Sequence, residues 1–154
     1  MKALTTKELN DALYSNDITS RVFRGVHPAC IEPKTVKEYY SFITNTHTHE
    51  KSGEHWNSWI VDKDTVFFFD SFGRPPTNQT LPFFYSDFVS KFKYVVSIRS
   101  PVQGLYSNAC GYFCAHYIYL VLAGFTTQHF LNDYTRDFEK NDKIVSSIFY
   151  SIFN

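Results

Sequence analysis

One segment limits the fold more than any other: the run GYFCAHYIYLVLAG, from Gly111 to Gly124, is apolar on nearly every side of the helix that it would form. A helix without a polar face is buried between other elements instead of lying on a surface. The run is shorter than the about 20 residues that a membrane-spanning helix needs. The sequence therefore predicts a helix buried within the domain, with other elements packed around it.

Four further segments have the composition of strands. RVFRGV, HWNSWIV, TVFFFD and KYVVSI are rich in the aromatic and β-branched residues that favour strands. Only DKD separates the second from the third, so these two are predicted to pair as an antiparallel hairpin with its turn at Asp62 and Lys63. In that register, His55 faces Asp70.

Helices are predicted around these strands. Thr5 and Glu8 have the spacing of a capping box, which predicts a short first helix. The segment after Pro33 predicts a second helix, and LPFFYSDFVSKF, TTQHFLNDY and NDKIVSSIFYSIF predict three more. The apolar residues at helical spacing after Pro33 are Val36, Tyr39, Tyr40 and Ile43.

Helices flanking a small, mainly antiparallel sheet make the predicted fold class α+β. The 154 residues contain no linker, repeat or low-complexity block, so a single domain from 1 to 154 is predicted. Lys and Arg together number 15, as do Asp and Glu. This balance gives the whole chain no electrostatic footprint for nucleic acid or an anionic membrane, and leaves open only a local basic patch.

The N-terminal segment and the cysteines bear on the compartment. MKALTTKELNDALYS has no uninterrupted apolar stretch, so no signal peptide is predicted. The three cysteines, Cys30, Cys110 and Cys114, leave at least one thiol free, which suits a reducing environment. We therefore expect an intracellular protein that is neither secreted nor bound to a membrane.

A cysteine stands where the loop PVQGLYSNA meets the buried helix. The first turn of a helix has unpaired backbone N–H groups and about half a positive elementary charge, which together stabilise an anion. A thiolate at Cys110 is such an anion, and cysteines at helix starts are often nucleophilic for this reason. The alternative is that Cys110 is a small buried core residue.

A cysteine nucleophile needs a base, and one of the six histidines is placed to supply it. His55 opens the first hairpin strand and faces Asp70 in the predicted register, which brings their Cβ atoms to about 4.5–5.5 Å. A slip of the register still leaves the pair within diagonal reach. The carboxylate would orient the imidazole and stabilise its cation. His116 follows Cys110 in the helix and points away from the thiol.

Acyl transfer also needs a donor for the negative charge that develops on the substrate carbonyl oxygen. Gln103, in the loop before Cys110, has a side-chain amide for this purpose, and the backbone N–H of Cys110 is a second donor. Taken alone, a loop glutamine is ordinarily solvent-exposed and idle. A zinc site of Cys110, Cys114 and a histidine is a competing interpretation, but the short Cys-x-x-Cys pairs typical of zinc are missing. No metal or cofactor is expected.

Three motifs in order carry a resemblance to a known family. GEHWNSWIV, FFFDSFG and PVQGLYSNACGYFC together resemble the adenovirus-type (adenain-like) cysteine proteases, which are related to the SUMO and ubiquitin-like-protein proteases. The resemblance extends from about Gly53 to Leu122, and the ordered His, Asp, Gln and Cys make it specific. It implies an α+β fold with the nucleophile at the start of a buried central helix, packed against a small sheet that carries the base and acid.

The resemblance also implies a role for each site residue. Cys110 would be the nucleophile, His55 the general base, Asp70 its orienting acid and Gln103 the oxyanion donor. Trp56 would help to wall a narrow cleft that admits glycine near the scissile bond, or would simply pack in the core.

Partners are implied as well, with departures from the family. Adenoviral enzymes are activated by DNA and by a viral peptide, which is disulfide-linked to a cysteine ahead of the glutamine. The comparable stretch here, SKFKYVVSIRSP, contains no cysteine, and the net charge is zero. We therefore expect a monomer that acts on protein substrates. An activating peptide would have to bind without a disulfide, and DNA stimulation is not expected.

The primary hypothesis is a cysteine endopeptidase of a virus or virus-like element. It would cleave virion precursor proteins at small or glycine-containing sites, in the nucleus or cytoplasm of the host cell and in the virion. A ubiquitin-like-modifier protease would use the same four residues. Two further alternatives are a non-catalytic structural or binding protein, against which the intact residue set argues, and an acyltransferase.

Overall fold

A computed structural model describes residues 1–28, 38–46, 55–76 and 85–153. Five helices and five strands lie in these ranges. The helices are α1 Thr6–Ser15, α2 Tyr85–Ser90, α3 Cys110–Leu122, α4 Thr127–Asn132 and α5 Phe138–Ile152. The strands are β1 Phe23–His27, β2 Tyr39–Asn45, β3 Trp56–Asp62, β4 Thr65–Phe69 and β5 Tyr94–Ser97.

The strands form one sheet in the order β1-β2-β3-β4-β5. β2, β3 and β4 are antiparallel neighbours, whereas β1 joins β2 in parallel and β5 joins β4 in parallel. The predicted α+β class is confirmed, with a sheet that is mixed where a mainly antiparallel one was expected. The reason is that the chain crosses over between β4 and β5 through α2, and such a connection returns a strand in the same direction.

The two faces of the sheet bury different apolar clusters. On one face α3 packs against β3 and, on its other side, against α5. Phe69 of β4 and Phe113 of α3 are fully buried in this larger cluster. On the opposite face Trp59 stacks on Phe42, and both rings meet the edge of Phe88 in α2. The apolar run of the sequence is therefore the helix between the sheet and α5.

Helix boundaries follow their sequence signals at α1 and α3. Oγ1 of Thr5 accepts from the N–H of Glu8 at 3.1 Å, and the Glu8 carboxylate accepts from the N–H of Thr5 at 2.8 Å, so the predicted capping box is present. α3 begins at Cys110 and is buried over most of its length. In the described ranges, none of the helices has the length and hydropathy that crossing a bilayer requires.

The predicted second helix is wrong over the part that the structure describes. Tyr39, Tyr40 and Ile43 lie in strand β2, while Pro33 and Val36 are outside the described residues. β2 lies between β1 and β3, and every one of its residues after Tyr39 is buried. A strand covered on both faces has a continuous apolar run, which fits helical spacing as well as it fits a strand.

The hairpin of β3 and β4 is confirmed, but its predicted register is wrong. Asp62 pairs with Thr65, so the turn consists of Lys63 and Asp64 instead of Asp62 and Lys63. Lys63 has a φ of 56°, the left-handed conformation that tight hairpin turns favour. DKD contains no glycine to mark this position, which is why the turn was misplaced. The resulting shift is by two residues, so every side chain keeps its predicted face.

Candidate active site

Cys110 is the first residue of α3 and is 6% exposed. Three other helices, α1, α4 and α5, begin with an N-cap side chain that accepts a hydrogen bond from the first turn. The N-cap of α3 is Ala109, which has no polar side-chain atom. The first-turn N–H groups of α3 are therefore left for an anion, either a thiolate at Cys110 or a negative charge that develops beside it.

His55 and Asp70 form a buried pair at the ends of β3 and β4. The observed register, extended past the strand ends, places His55 opposite Phe72 and diagonal to Asp70. The rings of His55 and Phe72 accordingly stack, with centroids 4.4 Å apart. Nε2 of His55 lies 2.8 Å from Oδ1 of the fully buried Asp70. The prediction that the two residues face each other directly is wrong, but the diagonal arrangement still brings them into contact.

The ionisation of His55 follows from its two neighbours, Asp70 and Cys110. Burial by itself lowers the pKa of His55, but the hydrogen bond and charge of Asp70, together with the nearby Cys110, raise it to about 8. A carboxylate only accepts hydrogen bonds, so Nε2 carries a proton toward Asp70, and Nδ1 is the nitrogen left for Cys110. A cationic imidazole beside the Asp70 carboxylate is thus favoured at neutral pH.

Asp70 has two further partners, Phe72 and Arg74, which sequence reasoning missed. Its Oδ1 accepts from the backbone N–H of Phe72 at 2.8 Å, and its Oδ2 accepts from Nε of Arg74 at 2.9 Å. Burial raises the pKa of Asp70, but His55, the Phe72 N–H and the charge of Arg74 together lower it below its ordinary value. Arg74 also lies over the Phe72 ring, 5.0 Å from its centroid. A signal was available, since both residues lie within four positions of Asp70 in DSFGR.

Gln103 is 2% exposed, and both ends of its amide are held. Nε2 donates to the carbonyl of Ser107 at 2.8 Å, and Oε1 accepts from the hydroxyl of Ser71. A carbonyl oxygen only accepts, so the amide atom facing Ser107 must be the nitrogen, and its second hydrogen is left for a substrate oxygen. Oγ of Ser107 accepts in turn from the N–H of Ala109 at 3.1 Å, which connects Gln103 to the residue before Cys110.

Ser71 joins the loop of the acid to the loop of the amide, and it too was missed. It directly follows Asp70, and its carbonyl accepts from the N–H of Gln103 at 3.1 Å. Gly73 permits this approach, because its φ is 74° and a Cβ there would lie 2.8 Å from the backbone nitrogen of Pro101. The segments that carry Asp70 and Gln103 are therefore packed backbone to backbone, and the structure brings all four predicted site residues to one end of the sheet.

Comparison with known proteins yields structural matches only. Neither a protein-family model nor a curated protein matches the sequence. ChlaDub1 from Chlamydia trachomatis is 16% identical with a TM-score of 0.56, over 75% of this chain and 60% of its own. The ASFV pS273R protease is 20% identical with a TM-score of 0.47, over 73% and 45%. The SUMO protease Ulp1 is 16% identical with a TM-score of 0.42, over 76% and 55%.

The chain shares its fold with ChlaDub1. It spans only about half the length of the three structures, between 45% and 60% of each. At 16% identity the likeness to ChlaDub1 concerns the fold alone, and it does not single out the adenovirus-type branch. The buried helix and the flanked sheet of the predicted fold are confirmed.

Trp56 borders both α3 and the core. A Cβ at Gly111 would lie 3.5 Å from Cδ1 of Trp56, so the indole lies against the residue that follows Cys110. The side chain is half-buried and also packs on the larger apolar cluster. Its position is compatible with both predicted roles, since the indole contacts the residue after Cys110 and also covers part of the core.

Cys114 lies one helical turn after Cys110 and is fully buried. Its Sγ donates to the carbonyl of Trp56 at 3.3 Å, and burial raises the pKa of this thiol well above its ordinary value. Cys30 lies outside the described residues. Across the described ranges, no three His, Cys, Asp or Glu side chains are gathered where they could hold a metal ion, so the zinc interpretation gains no support.

Proposed function

We propose that the protein is a cysteine endopeptidase that cleaves protein substrates at small or glycine-containing sites. The observation that carries the proposal is the buried His55–Asp70 pair beside Cys110, at the start of a helix whose N-cap has no side-chain acceptor. Burying an ionised group costs stability unless it is paired with an opposite charge. A cysteine that only packs in the core needs neither a histidine nor a carboxylate beside it. The fold shared with ChlaDub1 is compatible with the same conclusion.

The first half of the reaction forms a thioester. The thiolate of Cys110 attacks the scissile carbonyl carbon, a C–S bond forms, and the carbonyl electron pair moves onto oxygen. That oxyanion accepts hydrogen bonds from the backbone N–H of Cys110 and from Nε2 of Gln103. His55 then gives its Nδ1 proton to the leaving nitrogen, the C–N bond breaks, and the acyl group stays on sulfur.

The second half restores the enzyme with the same groups. Nδ1 of the now neutral His55 takes a proton from water, and the water oxygen attacks the thioester carbonyl. The C–S bond breaks, the acid product leaves, and the thiolate of Cys110 returns to its ion pair. Asp70 stays ionised throughout, as its lowered pKa favours, and holds the ring in the tautomer that presents Nδ1 to the thiol.

For the natural substrates we propose virion precursor proteins of a virus or virus-like element, cleaved inside the host cell or the virion. This part of the proposal depends on the three motifs that resemble the adenovirus-type proteases. A protease of ubiquitin-like modifiers is the second candidate, and the fold shared with ChlaDub1 is compatible with it. Both candidates share Cys110, His55, Asp70 and Gln103, so only substrates distinguish them.

A glycine-ended, thiol-reactive probe tests the peptidase proposal, with mass spectrometry to locate the adduct. We expect one adduct, on Cys110, which is lost in Cys110→Ala and formed far more slowly in His55→Ala. Equal labelling of Cys30, Cys110 and Cys114 in the folded protein would contradict the proposal. A second assay compares fluorogenic ubiquitin-like modifiers with quenched peptides that span Gly-Gly. Preference for the modifiers would favour the second candidate over the first.

A further inference from the structure

The turn that leads toward α3 ends in two very exposed apolar side chains. Leu105 is 79% exposed and Tyr106 is 102% exposed, whereas no other large apolar residue in the described part of the chain exceeds 53%. Single exposed apolar residues are common and need no explanation. These two are adjacent, and they lie in sequence between Gln103 and Cys110. We refer to Leu105 and Tyr106 together as the apolar tip.

The base of this turn is fixed, although its tip lies in solvent. The N–H of Ser107 donates to the carbonyl of Gly104 at 3.1 Å, which closes a β-turn with the apolar tip at its two central positions. The carbonyl of Ser107 also accepts from Nε2 of the buried Gln103. One hydrogen-bonded residue thus holds both the turn and the proposed oxyanion donor.

The segment that precedes the turn is also held in place. The carbonyl of Val102 accepts from Nδ2 of Asn141 in α5 at 3.0 Å, and Asn141 is fully buried. The N–H of Val102 donates to the carbonyl of Ser71 at 2.9 Å. Because the base is fixed, little backbone entropy is lost when a partner covers these side chains.

We propose that the apolar tip is a docking point for apolar residues of the protein substrate on a flank of the scissile bond. The inference rests on the proposed peptidase function and narrows its substrate class. Tyr106 is four residues from Cys110, so their Cα atoms lie at most about 14 Å apart. An extended substrate covers that distance in about four residues. A substrate bound at Cys110 can therefore also contact the apolar tip, and we take it as the partner that covers the tip.

Two labelled peptides test this directly. Both contain a central Gly-Gly. One has Leu and Phe two to four residues from Gly-Gly on each side, and the other has Ser at the same places. Binding is measured by fluorescence polarisation in the Cys110→Ala background, so that no turnover interferes. We expect the apolar peptide to bind about tenfold more tightly, since the tip buries part of two large side chains. The double substitution Leu105→Ser and Tyr106→Ser should remove this preference.

Two matched variants separate apolar contact from other effects. Tyr106→Phe keeps the aromatic ring and should keep the preference. Tyr94→Ser is the control, because it also removes a large side chain that is 52% exposed. Tyr94 pairs with Thr65, at the opposite end of β4 from Asp70, so this substitution should not change peptide binding. With Cys110 intact, iodoacetamide should alkylate the tip variant and the wild type at equal rates, which shows that the site is still formed.

The outcomes distinguish the inference from the function on which it rests. Equal binding of the two peptides, or a preference that survives the double tip substitution, would overturn the docking role. If Cys110→Ala discriminates through the tip but the intact protein cleaves neither peptide, the peptidase proposal is the part that fails. The apolar tip then stands as a binding surface for apolar segments.

Discussion

Two buried histidines, one beside the start of α3 and one within it, have opposite electrostatic surroundings. At the helix start, Cys110 meets His55, whose pKa is raised to about 8. Within α3, burial lowers the pKa of His116 to about 4. The two histidines are 6% and 2% exposed, so burial is what they share and not what separates them.

The difference comes from the partners within hydrogen-bond distance. His55 has the fully buried carboxylate of Asp70 at 2.8 Å. Nδ1 of His116 lies 2.6 Å from the hydroxyl of Tyr134, which is neutral, and Nε2 is 3.7 Å from a carboxylate of Asp133 that is 41% exposed. An anion shielded from water stabilises the imidazolium, whereas a hydroxyl and a solvated carboxylate do not outweigh desolvation. A buried histidine therefore becomes a candidate for catalysis through its counter-ion.

The largest expected effect separates the two thiols. Cys110→Ala should abolish turnover of a Gly-Gly peptide, because no other group can form the thioester, and should leave the fold intact. Cys114→Ala should keep kcat within a few-fold and lower the free energy of unfolding by about 1 kcal/mol, from a small cavity and the lost contact with Trp56. Peptide turnover and urea unfolding measure both. Turnover by Cys110→Ala at the wild-type rate would mean that another residue is the nucleophile.

The next largest effect is expected from replacing the carboxylate beside His55 by an amide, compared with the same change beside His116. Asp70→Asn should fold but lose about 10⁴ in turnover, as in serine-protease triads, because an amide keeps the contact without the charge that fixes the tautomer of His55. The matched change Asp133→Asn should leave the rate unchanged, since that carboxylate is solvated and serves His116. The pH profile of Asp70→Asn should also shift to lower pH as the pKa of His55 falls. Equal rates in the two variants would remove Asp70 from the site.

Gln103→Ala should have a smaller but still large effect. Loss of one oxyanion donor costs about 10²–10³ in kcat, and a group that acts in the transition state has little effect on substrate binding. Alkylation of Cys110 by iodoacetamide should be retained, because it needs the thiolate and no oxyanion hole. The exposed Gln128→Ala is the matched control. Loss of both turnover and alkylation would mean instead that Gln103 only holds the helix start in place.

The parts of the site that the sequence predicted are those set by local pattern. The all-apolar run located α3, and Cys110 lies at its start because a loop composition ends there. The pairing of His55 with Asp70 survived a register error of two residues, because a shift by an even number keeps side chains on the same face.

The parts that it did not predict depend on distant contacts. Ser71 meets Gln103 across 32 positions, and Asn141 meets Val102 across 39, so neither pair has a spacing that could announce it. Tyr40 was assigned to a helix because its strand is buried on both faces, and no alternation then distinguishes a strand from a helix.

The smallest expected effect is on stability, where the two histidines act in different pH ranges. An unfolded histidine has a pKa of about 6.5. The folded pKa of His55 is about 8, so its stabilisation is fully present below pH 6.5 and is lost as the pH rises through 8. The folded pKa of His116 is about 4, so the unfolded chain binds the extra proton between pH 6.5 and 4, and stability falls as the pH falls through that range.

Urea unfolding between pH 4 and 8.5 separates these two contributions. His116→Phe should reduce the loss of stability below pH 6.5 by up to about 3 kcal/mol, and His55→Ala should reduce the loss above pH 6.5 by up to about 2 kcal/mol. The comparison uses the change with pH and not the absolute stability, because His116→Phe also takes the ring nitrogen away from the hydroxyl of Tyr134. If the free energy of unfolding changed with pH in the same way in the wild type and in His116→Phe, burial would not lower the pKa of His116. The contrast with His55 would then be confined to catalysis.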